Sequence, residues 1–393
     1  MAIGRPRRGS NQFGRRTAAP RTSFFGRMLT WLVTIAVLLG LTSALPVVWV
    51  ETQCGPQGRV PSPASISPSV DDARFVPIIT ALPHKRALAG SFLAYPQWYI
   101  VHAYEEFAAM LAREDEAAFD YVGSVTGYWS NLCGLTGFTA ALGETSTESR
   151  AARYVSGVSF SLEMIVKGAY EETIGRLSAR WRGREKTAED RFALATASDQ
   201  ARFLRERPWH DYPFFDALRR FWAETPTSGG SRVRKVERRI ALSGELATKG
   251  VYAWGVGWLA RLSPAEQRVR SVVRGLRPAD RSIEGLTVVE TLPDGRTLIE
   301  TPRYRGYTEI VRTLLARGRE LTEIAGNERV LVTVLLPEGK FADSPGAVQV
   351  FAYPLQARPG WRRVGLDATI PALAATLRRV VAAGGEFEHL YEP

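Results

Sequence analysis

The chain has 393 residues, 45% hydrophobic and 23% charged, so most of it can form folded domains with buried cores, and its length predicts two or three of them. The net charge of +11 suggests nucleic acid as a partner, but seven of the 51 basic residues lie in residues 1–27, which contain no acid. The remaining residues carry 44 basic and 40 acidic groups, a near balance that argues against a nucleic-acid surface.

Residues 1–27 are predicted to be a basic cytoplasmic tail, and Met28–Val50 follow it as 23 residues without a charge. As a helix this stretch would span about 34 Å, enough for the roughly 30 Å hydrocarbon core of a bilayer. Trp31 and Trp49 lie near its ends, where indole rings favour the membrane interface. It is longer than the apolar part of a signal peptide and no A-x-A-like site follows it. We therefore expect an uncleaved transmembrane helix in the cell (inner) membrane with the N-terminus in the cytoplasm.

The chain beyond this anchor begins with a linker and continues with helices. Residues 51–94 are predicted to be a Pro/Ser-rich linker. Residues 95–275 are predicted to be mainly α-helical: Pro96 suits the first turn of a helix, and apolar residues recur on one face as far as Leu111.

Three segments of the helical region are candidates for further membrane contact, namely 121–143, 152–172 and 244–262. The first has no charge over 23 residues, but its five glycines and its hydroxyl side chains make insertion marginal. The other two are interrupted by charged residues or are charge-free over too short a length. The number of spans beyond the first stays open.

Two stretches of the helical region resemble each other. Ser161–Leu177 reads SLEMIVKGAYEETIGRL and Ser243–Leu259 reads SGELATKGVYAWGVGWL, with seven of 17 aligned positions identical. Unrelated stretches would share about one. The pattern S-x-E-x3-K-G-x-Y-x4-G-x-L predicts an internal repeat of one helix.

The charged and aromatic residues of the repeat are candidates for a structural or interaction role: Glu163, Lys167, Tyr170, Glu245, Lys249 and Tyr252. Glu and Lys four residues apart lie on one helix face and attract each other. If the two helices run antiparallel, Glu163 would meet Lys249 and Glu245 would meet Lys167, which would fix how they pack. The alternative is that these ionisable residues line a path through the membrane, as in transporters built from repeats.

Residues 283–393 are predicted to be an α+β domain of ferredoxin-like type. Two short strands flank the turn Pro293-Asp294-Gly295, and RVLVTVLL at 329–336 is typical of a buried strand. The predicted order of elements is ββαββαβ. Because many functions share this fold, it decides none of them.

The sequence offers no catalytic, cofactor or metal motif, and no cofactor is expected. Its four histidines are far apart in sequence and follow no ligand spacing: His84, His102, His210 and His389. Cys54 and Cys133 are a candidate disulfide if both lie in an oxidising compartment.

These patterns favour a non-catalytic, membrane-anchored accessory or scaffold protein that packs with or assembles a membrane complex. Its expected partners are the lipid bilayer and other membrane-protein subunits or a second copy, and not nucleic acid. The alternative is a small transporter or channel component that uses the Glu/Lys pairs. An exported enzyme would need a cleft that gathers distant carboxylates and histidines.

Overall fold

The computed structural model describes residues 44–54, 78–80, 84–140, 142, 147–260, 267–340 and 344–393. Residues 44–53 are helical and are called α1. Most of the predicted anchor, residues 28–43, lies outside the described residues, so the anchor stays a prediction.

The middle of the chain is helical, roughly as predicted, but its first helix lies within residues 51–94, which were predicted to be a linker. Its helices are α2 (Ala89–Leu93), α3 (Tyr95–Leu111), α4 (Tyr121–Thr139), α5 (Thr147–Tyr170), α6 (Arg176–Arg182), α7 (Ala188–Leu204), α8 (Phe214–Glu224) and α9 (Arg232–Ala260). A single π-helical turn, Glu171–Gly175, joins α5 to α6. The repeat therefore lies on two long helices, α5 with its extension and α9.

Two glycines allow α5 to approach α4 closely. A side chain at Gly157 would come within 2.3 Å of the Tyr128 ring, and one at Gly168 would come within 2.8 Å of Tyr121. A larger residue at either position would push the helices apart, which explains why the glycine of the K-G pattern suits this place.

Within the described residues, no helix combines the length and the apolar character that a membrane crossing requires. This holds for α4, α5 and α9, which cover most of the described residues of the candidate segments 121–143, 152–172 and 244–262. The physical reason is visible in the helices: α4 is rich in glycine and hydroxyl residues, and α5 and α9 carry acidic and basic side chains.

The C-terminal region consists of antiparallel sheets, as expected, but it has more strands than the sequence predicted. The first sheet contains β1 (Arg268–Arg274), β2 (Thr287–Thr291), β3 (Arg296–Pro302) and β4 (Glu320–Ile324), with α10 (Arg305–Ala316) before β4. The second contains β5 (Arg329–Pro337), β6 (Ala347–Pro354), β7 (Trp361–Thr369) and β8 (Glu386–Tyr391), with α11 (Leu373–Ala382) before β8.

The two sheets have the same topology. Each is built from three strands, a helix and a fourth strand, and their strand orders are β2-β3-β1-β4 and β6-β7-β5-β8. In both, the first strand is central and pairs antiparallel with the third and the fourth. Both helices are followed by a glycine with positive φ, Gly318 at 73° and Gly384 at 79°, before the last strand begins. The region is thus a structural duplication of a βββαβ unit.

This architecture corrects the predicted ferredoxin-like domain. The sheet region begins at Arg268, before residue 283, and β1, β4 and β7 were not predicted. β1 was missed although Arg268 and Arg270, which pair with Glu300 on β3, alternate with the buried Val269 and Ser271. In β7 the consecutive Arg362 and Arg363 break the alternation of apolar residues.

One hydrophobic core fills the space between the two sheets and their helices, with Val273 from the first unit and Val332 from the second among its buried residues. The second sheet also packs against the helical region. The Ser91 hydroxyl of α2 donates to the carbonyl of Tyr391 on β8 and accepts a 2.8 Å bond from the N–H of Leu331 on β5. The helices and the sheets therefore share a buried boundary.

Candidate functional site

The structure brings the charged residues of the repeat together. Lys249 Nζ lies 2.8 Å from a carboxylate oxygen of Glu163 and 2.8 Å from one of Glu245, and Lys167 Nζ lies 3.0 Å from Glu245. Glu163 of α5 pairs with Lys249 of α9, whereas Lys167, further along α5, pairs with Glu245, which comes earlier in α9. The two helices therefore run antiparallel.

The two tyrosines of the repeat also link these helices. Tyr170 donates a 2.7 Å hydrogen bond to Glu237 of α9, and the hydroxyl of Tyr252 lies 2.7 Å from that of Ser159 of α5. Side chains from α3 complete the surroundings: the Tyr104 hydroxyl donates to Glu163 at 2.6 Å, and the Phe107 ring lies under Lys167. Each charge is thus matched inside the body of the protein, an arrangement suited to fixing helix positions.

A second ion cluster lies next to the repeat and was missed from the sequence. Arg234 and Arg238 of α9 are only 1% exposed, and each forms ion pairs with several acids. Their partners are Glu116, Glu171, Asp190 and Glu237. The spacing of Arg234, Glu237 and Arg238 at i, i+3 and i+4 was the available signal, but an equal spacing is common on solvated helices.

The outward sides of the two repeat helices are unusually apolar. Both helices bury one side, α5 against α4 and α9 against α7 and α8, and leave the other side exposed. We call it the outer face and define it by its exposed large apolar residues: Val155, Ile165, Val166, Ile174, Leu177, Trp181, Val233, Val236, Ile240, Val251, Trp254 and Trp258. Monomeric proteins rarely expose so many large apolar side chains together.

The charges around the outer face are mostly positive. Arg150, Arg176, Arg180 and Arg232 are exposed on the same helices. Glu172 is exposed as well and pairs with Arg176. Among the positions of α9 whose exposure is described, no exposed residue is acidic.

The two cysteines form a disulfide, Cys54–Cys133, that joins the end of α1 to α4 across 79 residues of sequence. Val50 of α1 is buried in the same core as α4, and Glu51 accepts a 2.6 Å hydrogen bond from Tyr154 of α5. The described end of α1 is therefore part of the folded body.

A cleft of about 630 Å³ lies between α4 and β6. Its floor and walls are formed by Tyr99 and Glu106 of α3, by the glycine-bearing side of α4, by the consecutive residues 348–354 of β6, and by Gln356 and Arg363. Aromatic rings and aliphatic groups dominate, with a few polar groups between them. Such a composition is typical of binding sites.

Arg363 holds the base of the cleft in place. Its guanidinium donates to Glu388 at 2.7 and 2.8 Å, to Glu106 at 3.0 Å and to the hydroxyl of Tyr353 at 3.1 Å. The hydroxyl of Tyr353 also contacts that of Tyr95. Because Arg363 is already bonded on three sides, it positions Glu106 and Tyr353 and does not offer a free charge to a ligand.

Burial alone would raise the pKa of Glu388, but the charges of Arg363 and His102 outweigh it and hold the pKa at about 2. His102 lies 3.7 Å from Glu388 and 3.3 Å from the Tyr391 hydroxyl. Burial lowers the pKa of His389, which stacks on Trp98 and whose Nδ1 lies 2.9 Å from the Thr308 hydroxyl. Neither histidine is among the described residues that line the cleft.

The other two histidines, His84 and His210, lie apart from this network. Among the described residues, no group of three or more His, Cys, Asp or Glu side chains is arranged to hold a metal ion. Comparison with protein-family models, with curated proteins and with solved structures found no match to this chain.

Proposed function

We propose that the chain is a non-catalytic, membrane-anchored accessory protein whose folded body rests on the bilayer through the outer face of α5, α6 and α9. The observation that supports this proposal is the composition of that face. Trp181, Trp254 and Trp258 are 64%, 75% and 61% exposed. Indole rings favour the interfacial region of membranes, where one side of the ring is apolar and the other is wet.

The charges beside the outer face suit an anionic lipid surface. Exposed arginines flank the apolar residues, and acidic groups are scarce among them. Each basic residue close to anionic headgroups contributes about 1 kcal/mol of attraction, and buried apolar area adds to it. The ion pairs between α5 and α9 hold the two helices in a fixed position relative to each other.

The disulfide supports a body on the exported side of the membrane. Disulfides persist in oxidising compartments such as the bacterial periplasm and are rare in the cytosol. With the arginine-rich residues 1–27 in the cytoplasm, one crossing at 28–50 would carry Cys54 and Cys133 to that side.

The transporter alternative is less well supported. It requires the repeat helices to cross a bilayer, and neither α5 nor α9 has the apolar length for a crossing. Their Glu and Lys side chains are also bonded to each other and to α3, with Lys249 only 7% exposed. Cysteine accessibility at residues 145–150 and 263–270 would separate the two topologies.

Site-specific labelling tests the proposal, because the two cysteines of the wild-type chain are bonded to each other. A polarity-sensitive fluorophore is attached to Ile240→Cys in the full chain, reconstituted in vesicles of phosphatidylcholine and phosphatidylglycerol. We expect nitroxide-labelled lipids to quench it and aqueous iodide to reach it poorly. Quenching by lipid should weaken severalfold in vesicles without phosphatidylglycerol.

Val381→Cys is the matched control, because Val381 on α11 is 64% exposed and Ile240 is 69% exposed. The label at 381 should be quenched by iodide and not by lipid. If both labels respond alike to iodide, the outer face does not rest on lipid. Protection at 240 that appears only in native membranes would replace the bilayer with a protein partner and overturn the proposal.

A further inference from the structure

The cleft between α4 and β6 is long and narrow. The residues of α4 that line it run from Asp120 to Phe138, which is about 27 Å along a helix axis. A volume of about 630 Å³ over that length leaves an average cross-section of about 23 Å². A helix is about 10 Å across and would not fit, whereas one alkyl chain, whose neighbours pack about 4 Å from its carbon atoms, would. The dimensions therefore suit a single linear molecule.

The two ends of the cleft differ in polarity. At the start of α4, the N–H of Asp120 donates a 3.0 Å hydrogen bond to Gln356, whose amide lies 3.2 Å from the Ser124 hydroxyl. Towards the other end of α4, the cleft is lined by the apolar side chains of Leu135 and Phe138. A linear occupant would thus place a polar head near the start of α4 and an apolar tail towards its end.

The charges that line the cleft exclude an anionic head. Glu106 and Asp120 contribute two carboxylates. Among the described residues, Arg363 is the one basic side chain of the lining, and it is paired with Glu106 and Glu388. No positive charge is therefore left for a carboxylate or a phosphate, and the two lining carboxylates would repel such a group.

The hydroxyl of Tyr99 is available to a ligand. Tyr99 lines the cleft, is only 8% exposed and places its hydroxyl against Gly127. Within the part of the chain that the structure describes, this hydroxyl has no hydrogen-bond partner. Burial, with Tyr353 and Glu106 nearby, raises the pKa of Tyr99, so the hydroxyl stays protonated and can donate. A buried donor without a partner is unfavourable, which favours a ligand that brings an acceptor oxygen.

We propose that the cleft binds one uncharged single-chain amphiphile of the fatty acyl ester class. The Tyr99 hydroxyl would donate to the carbonyl oxygen of its head, and the tail would pass Phe351 and extend towards Leu135 and Phe138. Removal of the tail from water would supply most of the affinity, and the hydrogen bond would orient the head. This inference stands on the cleft alone and does not depend on membrane docking.

The test is photo-crosslinking of the full chain in phosphatidylcholine vesicles. Three probes share one alkyl chain that carries a diazirine, and they end in a methyl ester, a sulfonate or a plain methyl group. Crosslinked peptides are identified by mass spectrometry, and labelling of the cleft is expressed as a share of all labelling, which corrects for partition into lipid. We expect the ester to label the α4 and β6 residues of the cleft at least fivefold more than the sulfonate. Unlabelled methyl palmitate should compete.

The variant Gly134→Trp fills the apolar half of the cleft, and Gly244→Trp is its control. Both glycines lie inside helices, are exposed, and have no atom within 4 Å of an added side chain. Gly134 lines the cleft, whereas Gly244 lies on α9. We expect Gly134→Trp to reduce labelling of the cleft by the ester at least tenfold and Gly244→Trp to change it less than twofold.

Tyr99→Phe tests the contact with the head, because it removes the hydroxyl and keeps the ring. Labelling by the ester should fall severalfold, and labelling by the plain hydrocarbon should stay the same. Four outcomes would overturn the proposal: the ester does not label the cleft, the sulfonate labels it equally well, Gly134→Trp has no effect, or Tyr99→Phe leaves labelling by the ester unchanged.

Discussion

The ion pair between Glu163 and Lys249 is expected to contribute to the unfolding free energy of the protein. Replacing either by Ala leaves the other charge with incomplete neutralisation in a buried site, so each single variant should lose about 3 kcal/mol of unfolding free energy. The double variant leaves neither charge of this pair, and its loss should be clearly less than the sum. Urea denaturation of the four proteins measures the coupling.

Glu172 and Arg176 are the control for that cycle. They also form an ion pair on the α5–α6 segment, but their side chains are 46% and 47% exposed. Glu172→Ala should change the unfolding free energy by less than about 1 kcal/mol. Additive losses for Glu163 and Lys249, or losses as small as this control, would show that the buried pair does not hold the helices together.

The ionisation of Glu388 makes the unfolding free energy of the protein depend on pH. Its pKa of about 2 in the folded protein lies below the ordinary value of 4.5, so the folded state favours the ionised form. This stabilisation, about 3 kcal/mol, is present above pH 4.5 and is lost as the pH falls towards 2. Chemical denaturation between pH 6 and pH 2 should show the decline, and Glu388→Gln should make it shallower.

Glu386 lies two residues away, is exposed and pairs at the surface with Arg358. Glu386→Gln should therefore keep the wild-type dependence on pH. If Glu388→Gln also keeps the full decline, other carboxylates carry the acid sensitivity.

At the scale of elements, the disulfide fastens α1 to α4. A bond that closes a loop across 79 residues restricts the unfolded chain strongly. Replacing both Cys54 and Cys133 by Ala should lower the unfolding free energy by about 2 to 4 kcal/mol. The measurement is denaturation without reductant. Reductant should destabilise the wild type by a similar amount and leave the variant unchanged, and a wild type indifferent to reductant would contradict this role.

Elements with one clear period could be predicted from the sequence. α3 was predicted from Pro96, which lies in its first turn, and β5 was predicted from its run of β-branched and aliphatic residues. The Glu/Lys spacing identified four side chains that lie together in the structure. β7 could not be found in this way, because in Trp361–Thr369 two consecutive arginines follow the tryptophan and a glycine is packed under Phe351.

At the scale of the whole molecule, the sites could not be predicted because they depend on contacts distant in sequence. The cleft joins α4 to β6, more than 200 residues further along the chain. The outer face depends on how α5 and α9 bury their other sides, α5 against α4 and α9 against α7 and α8. The duplication of the βββαβ unit is likewise recognised from the order of the strands in the two sheets.

The contact between α2 and β8 has a consequence for synthesis on the ribosome. Ser91 bonds to Tyr391, and Arg86 donates a 2.9 Å hydrogen bond to the carbonyl of Pro393, some 300 residues later. Contacts so distant in sequence form late, because the intervening chain must first be made. The aromatic surface of α2 and α3 that Tyr391 covers therefore stays uncovered while the second sheet is being translated. Apolar surface exposed in this way is prone to aggregation until the last strand is in place.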